Sequence, residues 1–376
     1  MQRIISRILL GVGVLIVFII LFLGVIFNTN FLVNQMEEEE EAQYFKKISK
    51  ISPSSKELSY PSDSIKVMSW NIKFGGGRID FFFDCYGDRV IMEKGEVLQN
   101  LAGLRKKILQ VCPDILLVQE IDLEAKRSAY INMVNWMLEN TYFQYAVYAS
   151  QWDVKYLPSR GLGRINSGIA IFSRFPLTEA KRYPLPLLPE QDFITRFFYL
   201  RRCILSCKIK GPVPQKDIYI LNTHLAAYDK SGTRKKQLQI LFDLAKQFAT
   251  KGILIFGGDL NTLPPGTKKV KNFDDSVCKD QDFVEDDYSY EKEVLVPFYT
   301  HFKECIPLEV YHQNEKKFYS HTVNGRGFWN RRLDYLFSNY PWQNGLVHQD
   351  ESTGGMATMP LSDHAPITAT LILKEK

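Results

Sequence analysis

Ile253-Leu-Ile-Phe-Gly-Gly-Asp-Leu-Asn261 is an apolar run that stops at two glycines and then offers a carboxylate, Asp259, and a carboxamide, Asn261. The apolar stretch is too short for a typical helix and is closed by Gly257 and Gly258, so it reads as a buried strand. In extended chain, residues two apart face the same way, which directs Asp259 and Asn261 into one space. The same residue types after glycine also make ordinary turns, so this stretch alone does not separate a site from a turn.

The segments around it end the same way. Ile65 to Asn71 alternates apolar and polar residues like a strand, Asp114 to Glu120 is a strand that finishes on Glu120, and Ile218 to His224 finishes on His224. Arg332 to Phe337 and Ile367 to Leu373 supply two more strands, with Leu361-Ser-Asp-His-Ala-Pro366 between them. Phe143 to Ala149 and Gly168 to Phe172 also read as strands, separated by a loop containing Arg160, Arg164, Asn166 and Ser167. Helical spacing links Val97, Leu101, Leu104, Ile108 and Val111, a helix that Pro113 ends. A second stripe comprises Tyr130, Val134, Met137 and Leu138, and a third Leu238, Leu241, Ala245 and Phe248, with Thr233 as its cap and Gly252 at its end. Residues 183–190, rich in proline and leucine, read as a loop, and the acidic insertion from Asp274 to Glu293 as a solvated loop without the glycine-centred spacing of a calcium site.

Asn71, Glu120, His224, Asp259, Asn261, Asp334, Asp363 and His364 therefore all sit at or beside the ends of apolar runs. Buried carboxylates are costly unless paired or bound to a cation, so scattering these groups through a core is implausible, whereas gathering them at one edge around a metal makes physical sense. Carboxylates and carboxamides are hard oxygen donors suited to Mg²⁺ or Mn²⁺. The six cysteines are scattered without zinc-type spacing. Such a cation with an aspartate base and a nearby imidazole equips a site for attack of water on a phosphate ester.

The chain has 376 residues, 45% hydrophobic and 24% charged, which excludes disordered and fibrous classes. Its net charge of +5 falls short of the basic footprint of a dedicated duplex binder, while leaving anionic substrates open. Ile8 to Phe27 contains no charged or strongly polar residue, enough for a bilayer-spanning helix, and no small-residue cleavage site follows it. The expectation is an uncleaved anchor over residues 1–28, its amino terminus cytoplasmic because Arg3 and Arg7 precede it, with the rest of the chain on the extracytoplasmic side. Residues 29–63, acidic and then rich in Ser and Pro, read as a flexible stalk, and residues 64–376 as one folded domain. The adjacent Phe81, Phe82 and Phe83 read as buried, with a membrane-touching or substrate-stacking role as the alternative.

Taken together, Ser-Trp-Asn71, Val-Gln-Glu120, Ser-Gly-Ile-Ala-Ile-Phe-Ser-Arg174, Asn-Thr-His224, Gly-Gly-Asp-Leu-Asn261, Arg-Leu-Asp334-Tyr and Ser-Asp363-His364-Ala-Pro, in this order over residues 65–373, resemble the endonuclease/exonuclease/phosphatase superfamily, also described as deoxyribonuclease I-like. The resemblance implies an α/β fold: a four-layered α/β sandwich of two packed, mostly antiparallel sheets flanked by helices. It implies a Mg²⁺- or Mn²⁺-dependent hydrolase in which Glu120 is the principal metal ligand, with Asn71 and Asp363 beside or behind it. Asp259 would orient or deprotonate the attacking water, Asn261 and His224 would hold phosphate oxygens, and Asp334 would orient His364. Arg164 and Asn166 are further candidates for substrate binding. The expected substrate is a phosphodiester in nucleic acid or in a sphingomyelin-type phospholipid. An inositol-phosphate-type phosphomonoesterase and a catalytically silent binding protein of the same fold are the alternatives. The arginines 160, 164, 326, 331 and 332 suit any phosphate. The membrane is the one other partner expected, and no protein partner is.

Overall fold

The computed structural model describes residues 2–31, 39–47, 63–84, 87–211, 216–227, 229–273, 287–323, 328–349 and 356–373. Alternating apolar residues in the strands build two sheets that share a core. One sheet has the order β1 (Glu40–Glu41), β7 (Thr178–Pro184), β8 (Cys203–Ile209), β9 (Ile218–His224), β10 (Ile253–Asp259), β12 (Asp334–Ser338) and β11 (Lys303–Glu304). The other has the order β13 (Trp342–Val347), β14 (Ile367–Ile372), β3 (Ser64–Asn71), β4 (Ile115–Asp122), β6 (Gly163–Ser173), β5 (Tyr145–Leu157) and β2 (Gln43–Lys46). Neighbours are antiparallel except for one parallel pair in each sheet, β9 with β10 and β3 with β4.

Strand periodicity sorts the side chains into layers. Ile253 and Ile255 of β10 face the inter-sheet core with Ile65, Val67, Ile115 and Leu117, whereas Leu254 and Phe256 face outward. There they meet Leu238, Leu241, Ala245 and Phe248 of α5 (Thr233–Ala249) and Phe298 of α6 (Val296–His301). On the far side, α2 (Lys94–Val111) and α3 (Met133–Asn140) cover Met68, Trp70, Leu116 and Val118 of the other sheet. Each such buried Leu, Ile or Phe contributes about 1.5–3 kcal/mol. The result is the helix–sheet–sheet–helix sandwich that the family resemblance implies, with α7 (Leu308–Gln313) beside the core through Tyr311. A long apolar helix, α1 (Gln2–Phe31), precedes it, and its stretch Arg3–Asn30 is long and apolar enough to cross a membrane.

Several local expectations change. Residues 40–46 lie within the expected stalk, yet β1 and β2 add to an edge of each sheet, Glu40 pairing with Arg182 and Phe45 with Ala146. Backbone pairing at the edge thus overrides an acidic composition. The segment from 48 to 62 lies outside the described residues, as do Arg326 and all of 274–286 in the acidic insertion. Gly232, at φ +74°, occupies the cap position of α5, making Thr233 its first residue. Tyr130 is exposed before α3 begins and does not join its buried stripe. Arg164, Asn166 and Ser167 lie on β6 rather than in a loop, because β5 and β6 run on as a long hairpin. Residues 183 and 184 close β7. Of the three phenylalanines, Phe81 is buried, Phe82 half-buried and Phe83 exposed at 38%. Cys112, Cys203, Cys207 and Cys305 are free thiols, and Cys85 and Cys278 lie outside the described residues.

Candidate active site

The ladder of the first sheet sets the site. Asp259 at the end of β10 is in register with His224 on β9 and with Asp334 on β12, so three polar residues form one row across three strands. Gly257 and Gly258 do not close β10; they are paired residues inside it. A Cβ on Gly257 would lie 2.0 Å from the Tyr335 carbonyl oxygen, and one on Gly258 would lie 2.0 Å from that of Thr223. Gly258 also has φ +127°, so glycine is the residue that lets β10 pass between its neighbours with Asp259 on the row. Asn261, two residues on, is held at φ +51° and donates its backbone N–H to Asp259 Oδ1 at 3.0 Å, a turn that fixes both side chains at the strand end. Its Nδ2 donates to the Leu225 carbonyl at 3.1 Å.

The second sheet meets this row through Asn71 and Glu120. Asn71 Nδ2 donates to Asp259 Oδ2 and to Glu120 Oε1, both at 3.1 Å. Its Oδ1 accepts the Lys73 backbone N–H at 3.0 Å, which fixes which end of the amide faces the carboxylates. Asn71 is thereby a clamp between two acids, and its oxygen faces the backbone rather than the cavity. Glu120 lies inside β4, at φ +53°, where the pairing of β4 with β6 shifts between Val118 and Ile121. Asn222 Nδ2 spans that irregularity, donating to the Val118 and Ala170 carbonyls at 2.9 Å each. Asn222 Oδ1 accepts from Gln119 Nε2 at 2.7 Å, tying the two sheets together beneath the site.

His364 sits between the two aspartates. Its Nδ1 is 2.8 Å from Asp334 Oδ2, which also accepts from Ser320 Oγ at 2.6 Å, and its Nε2 is 3.5 Å from Asp259 Oδ2. Burial opposes the charge, but Asp334 and Asp259 outweigh it and lift His364 to about 10, so both ring nitrogens carry protons at neutral pH. His224 differs: burial, Arg202 and His364 hold it well below the usual histidine range, and it is neutral. Its Nδ1 is buried with no hydrogen-bond partner among the described residues while Nε2 lies 3.3 Å from Asp259 Oδ2, which places the proton on Nε2. Burial pushes Asp259 up to about 7, His364 opposing and Asp334 adding to the shift. Burial and then Asp363 push Glu120 up as well. In Asp363 burial is outweighed by Lys73, His364 and Arg78, which hold it below the usual carboxylate range.

These groups surround a cavity of about 290 Å³ lined by Glu120, His224, Asp259, Asn261, Asp363 and His364, with Asn71 and Asp334 bonded to its wall. Asp259, Asp334 and His364 offer ligand atoms within 4.8 Å of one another and form a group that could hold a metal ion. Their hydrogen bonds give them a second description, an imidazolium between two carboxylates, because Asp334 Oδ2 is already engaged by His364 and Ser320. Arg164 and Asn166 are not brought to the cavity. Arg164 forms ion pairs with Glu124 and Asp153, and Asn166 Oδ1 accepts from the Tyr148 hydroxyl at 2.6 Å. Arg332 is buried against Glu304 at 2.7 Å, and Arg331 stacks over Phe273.

Sequence reasoning missed Lys73, Arg202 and His321, which line the same cavity. Lys73 is buried, its Nζ 2.8 Å from Asp84 and 3.9 Å from Asp363. His321 packs its ring 4.3 Å from that of His364. Lys73 follows Asn71 by two residues, a proximity that was available as a signal; Arg202 and His321 reach the site from a strap and a bridge that no local pattern announces.

Residues 68–364 match the model of the Endonuclease/Exonuclease/phosphatase family. No curated protein matches the sequence. Among solved structures, the chain is similar to an endonuclease/exonuclease/phosphatase from Beutenbergia cavernae, with TM-score 0.53 and 19% identity over 83% of this chain and 72% of that one. It is similar to the human Nocturnin catalytic domain with bound sulfate anion, with TM-score 0.52 and 16% identity over 89% of this chain and 97% of that one. It is also similar to an endonuclease/exonuclease/phosphatase family protein from Leptotrichia buccalis, with TM-score 0.50 and 16% identity over 81% of this chain and 98% of that one. Those likenesses establish the fold, and with the family model spanning the residues that build both halves of the site, the chain belongs to the Endonuclease/Exonuclease/phosphatase family.

Proposed function

We propose that the protein is a membrane-anchored, divalent-cation-dependent phosphodiesterase that hydrolyses its substrate by attack of water. The observation that carries this reading is the row His224, Asp259 and Asp334, met from the opposite sheet by Asn71 and Glu120 with His364 protonated between the aspartates. Glu120 fits a hard cation. It is a carboxylate that takes its hydrogen bond from a neutral amide and is pushed up by burial and by Asp363, and an oxygen-seeking Mg²⁺ or Mn²⁺ would compensate it. Glu120 would be the principal ligand with Asp363 beside it, and Asn71 would hold the carboxylate in place. A cation bound there neutralises phosphate charge and polarises the ester.

The chain's own groups supply the rest. Asp259 accepts a proton from the attacking water, oriented by the Asn261 N–H and the Asn71 amide. His364, kept charged by Asp334, stabilises the negative charge that grows on the phosphate oxygens. Neutral His224 offers its Nε2–H, and Asn261, Lys73 and Arg202 border the same space. The favoured substrate is a phosphodiester carried by a membrane lipid, because the cavity wall continues into Phe74, Phe83, Trp152 and Leu200 and the chain carries α1. A nucleic acid is the second reading, favoured by Phe83, which is exposed at the cavity edge and suited to stacking a base. We place the amino terminus in the cytoplasm and the catalytic domain outside, on the strength of Arg3 and Arg7.

The test gives the purified full-length chain, with Mg²⁺, Mn²⁺ or chelator, a panel of sphingomyelin, plasmid DNA, RNA and inositol phosphates. Cation-dependent release of a lipid headgroup is the expected result. Cleavage of nucleic acid with no lipid turnover would establish the second reading, release of phosphate from monoesters alone would make it a phosphomonoesterase, and no turnover of any member would identify a silent binding protein. Protease added outside intact cells should digest the domain, and full protection would reverse the orientation.

A further inference from the structure

We infer that α4 (Phe193–Phe198), with the sequence Phe-Ile-Thr-Arg-Phe-Phe, is a bilayer-docking helix that holds the mouth of the catalytic cavity against the membrane from which α1 emerges. The inference rests on α1 lying in a bilayer, as proposed above, and goes beyond it by assigning a second contact.

The helix is short but fixed. Asp192 caps it, accepting from the N–H groups of Ile194 and Thr195 at 2.9 and 3.0 Å. At its other end, Trp152 Nε1 donates to the Phe198 carbonyl at 2.7 Å, tying it to β5. Its inner face packs on the last turns of α1: Phe27 lies 5.0 Å from Phe197 and 5.9 Å from Phe198, and Ile26 shares a buried cluster with Phe198. Asn30 completes the joint, donating from Nδ2 to the Tyr156 carbonyl and accepting the Lys155 N–H at 2.8 Å. The membrane-type helix therefore does not hang from a free tether; its end is docked onto the domain.

The outer face of α4 carries Phe193 and Ile194, exposed at 76% and 61%. Two large apolar side chains on one rigid turn are costly in water, and a headgroup–acyl boundary accommodates them. What covers them follows from continuity. The Phe193 ring is 6.4 Å from Phe197, which touches Phe27, and the exposed apolar shaft of α1 begins immediately above that point with Val25. A bilayer that receives the shaft of α1 meets the outer face of α4 at the same level. Tyr156, 45% exposed beside Asn30, has the amphipathic character of the membrane boundary, and Arg196 is exposed on α4 itself. Immediately after α4, Tyr199, Leu200 and Arg202 line the catalytic cavity, so the chain passes from the docking helix to the cavity wall within four residues. The ligand of this surface is a lipid bilayer, and its consequence is a cavity presented to headgroups.

The experiment reconstitutes the full-length chain in phosphatidylcholine vesicles and measures the tryptophan fluorescence that Phe193→Trp adds over wild type, with acyl chains brominated near the headgroup end. At least twofold quenching of the added signal is expected, with Phe18→Trp, in the shaft of α1, quenched by deeper bromines. An unquenched residue 193 beside a quenched residue 18 overturns the docking of α4 and leaves the anchor standing; loss of both overturns both. A blue shift at residue 193 that follows protein concentration without lipid would assign the face to a second copy and overturn the inference. In a second arm, the double variant Phe193→Ser, Ile194→Ser should keep hydrolysis of a small soluble phosphodiester within twofold of wild type and lose at least tenfold on a vesicle-borne one. Equal loss on both substrates would overturn the inference. The quenching arm requires no turnover, so failure of the enzymatic reading and failure of the docking reading are distinguishable.

Discussion

Two parallel strand pairs, β3 with β4 and β9 with β10, occupy equivalent central places in the two sheets, and each is joined by a long covering helix, α2 or α5. Both deliver polar residues from their carboxyl ends, Asn71 and Glu120 from one and His224 and Asp259 from the other. They differ in how tightly the ladder holds those residues. In β9–β10 the pairing continues to Asp259 and His224 themselves. In β3–β4 it stops at Asn71 and Gln119, one residue short of Glu120, which adopts φ +53° beside an irregular register with β6. The base, His224 and Asp334 are positioned by backbone hydrogen bonds shared among three strands, whereas the proposed cation ligand is positioned by a strained backbone and one amide clamp. Rigid placement suits a proton acceptor that must meet a water at hydrogen-bond range, and a carboxylate outside the ladder is free to follow a cation.

The largest effect should come from Asp259 on the ladder and from His364, which contacts it. Asp259→Asn or His364→Ala should lower turnover by about 10³-fold or more with unchanged far-UV circular dichroism, since a base and a charge-stabilising group each carry about 10² to 10⁴. Near wild-type turnover in either variant would break the assignment. The pH profile sharpens it. Asp259 acts when ionised, above about 7, and His364 acts when protonated, below about 10, so kcat should rise as pH passes upward through the first value and fall toward the second. Asp334→Asn removes one of the two carboxylates that raise His364 and should move the falling limb to lower pH. A limb that stays in place would detach His364 from Asp334.

Next comes the backbone of β10. Gly258→Ala brings a Cβ against the Thr223 carbonyl and should cost about 3 kcal/mol of stability, measured by urea unfolding. The opposite behaviour is expected across the cleft. Glu120→Gly removes a left-handed backbone penalty and a buried carboxylate, and should raise stability by about 1 kcal/mol while abolishing cation-dependent turnover. If that variant is destabilised instead, Glu120 is not strained in the native state and the contrast between the halves fails.

The strands and helices were legible because apolar alternation in segments such as Ile65–Asn71 and Ile253–Asp259, and helical stripes such as Leu238–Phe248, are local patterns; their arrangement as a sandwich was implied by the family resemblance. The polar strand ends were legible because a charge beside a core run is conspicuous. Edge strands β1 and β2 were hidden in an acidic composition, since edge pairing uses backbone groups that carry no side-chain code. Arg164 looked available because charge in a sequence does not reveal whether a partner such as Asp153 already holds it. Arg202 and His321 escaped notice for the converse reason: their membership in the site depends on where the chain returns in space.

By itself, the sequence determined the strands and helices, the apolar helix at the amino terminus, and the set of acids, amides and imidazoles that any fold of this chain had to accommodate, while the layering came from the resemblance that its ordered motifs carry. The physical reason is that burial period and the cost of an unpaired buried charge are properties of short segments. Only the tertiary structure decided that Asp259 shares a row with His224 and Asp334, that Asn71 faces its amide rather than its oxygen toward the acids, and that α4 lies against the end of α1. Those are relations between residues distant in sequence, set by ladder register and packing, and no local pattern encodes them.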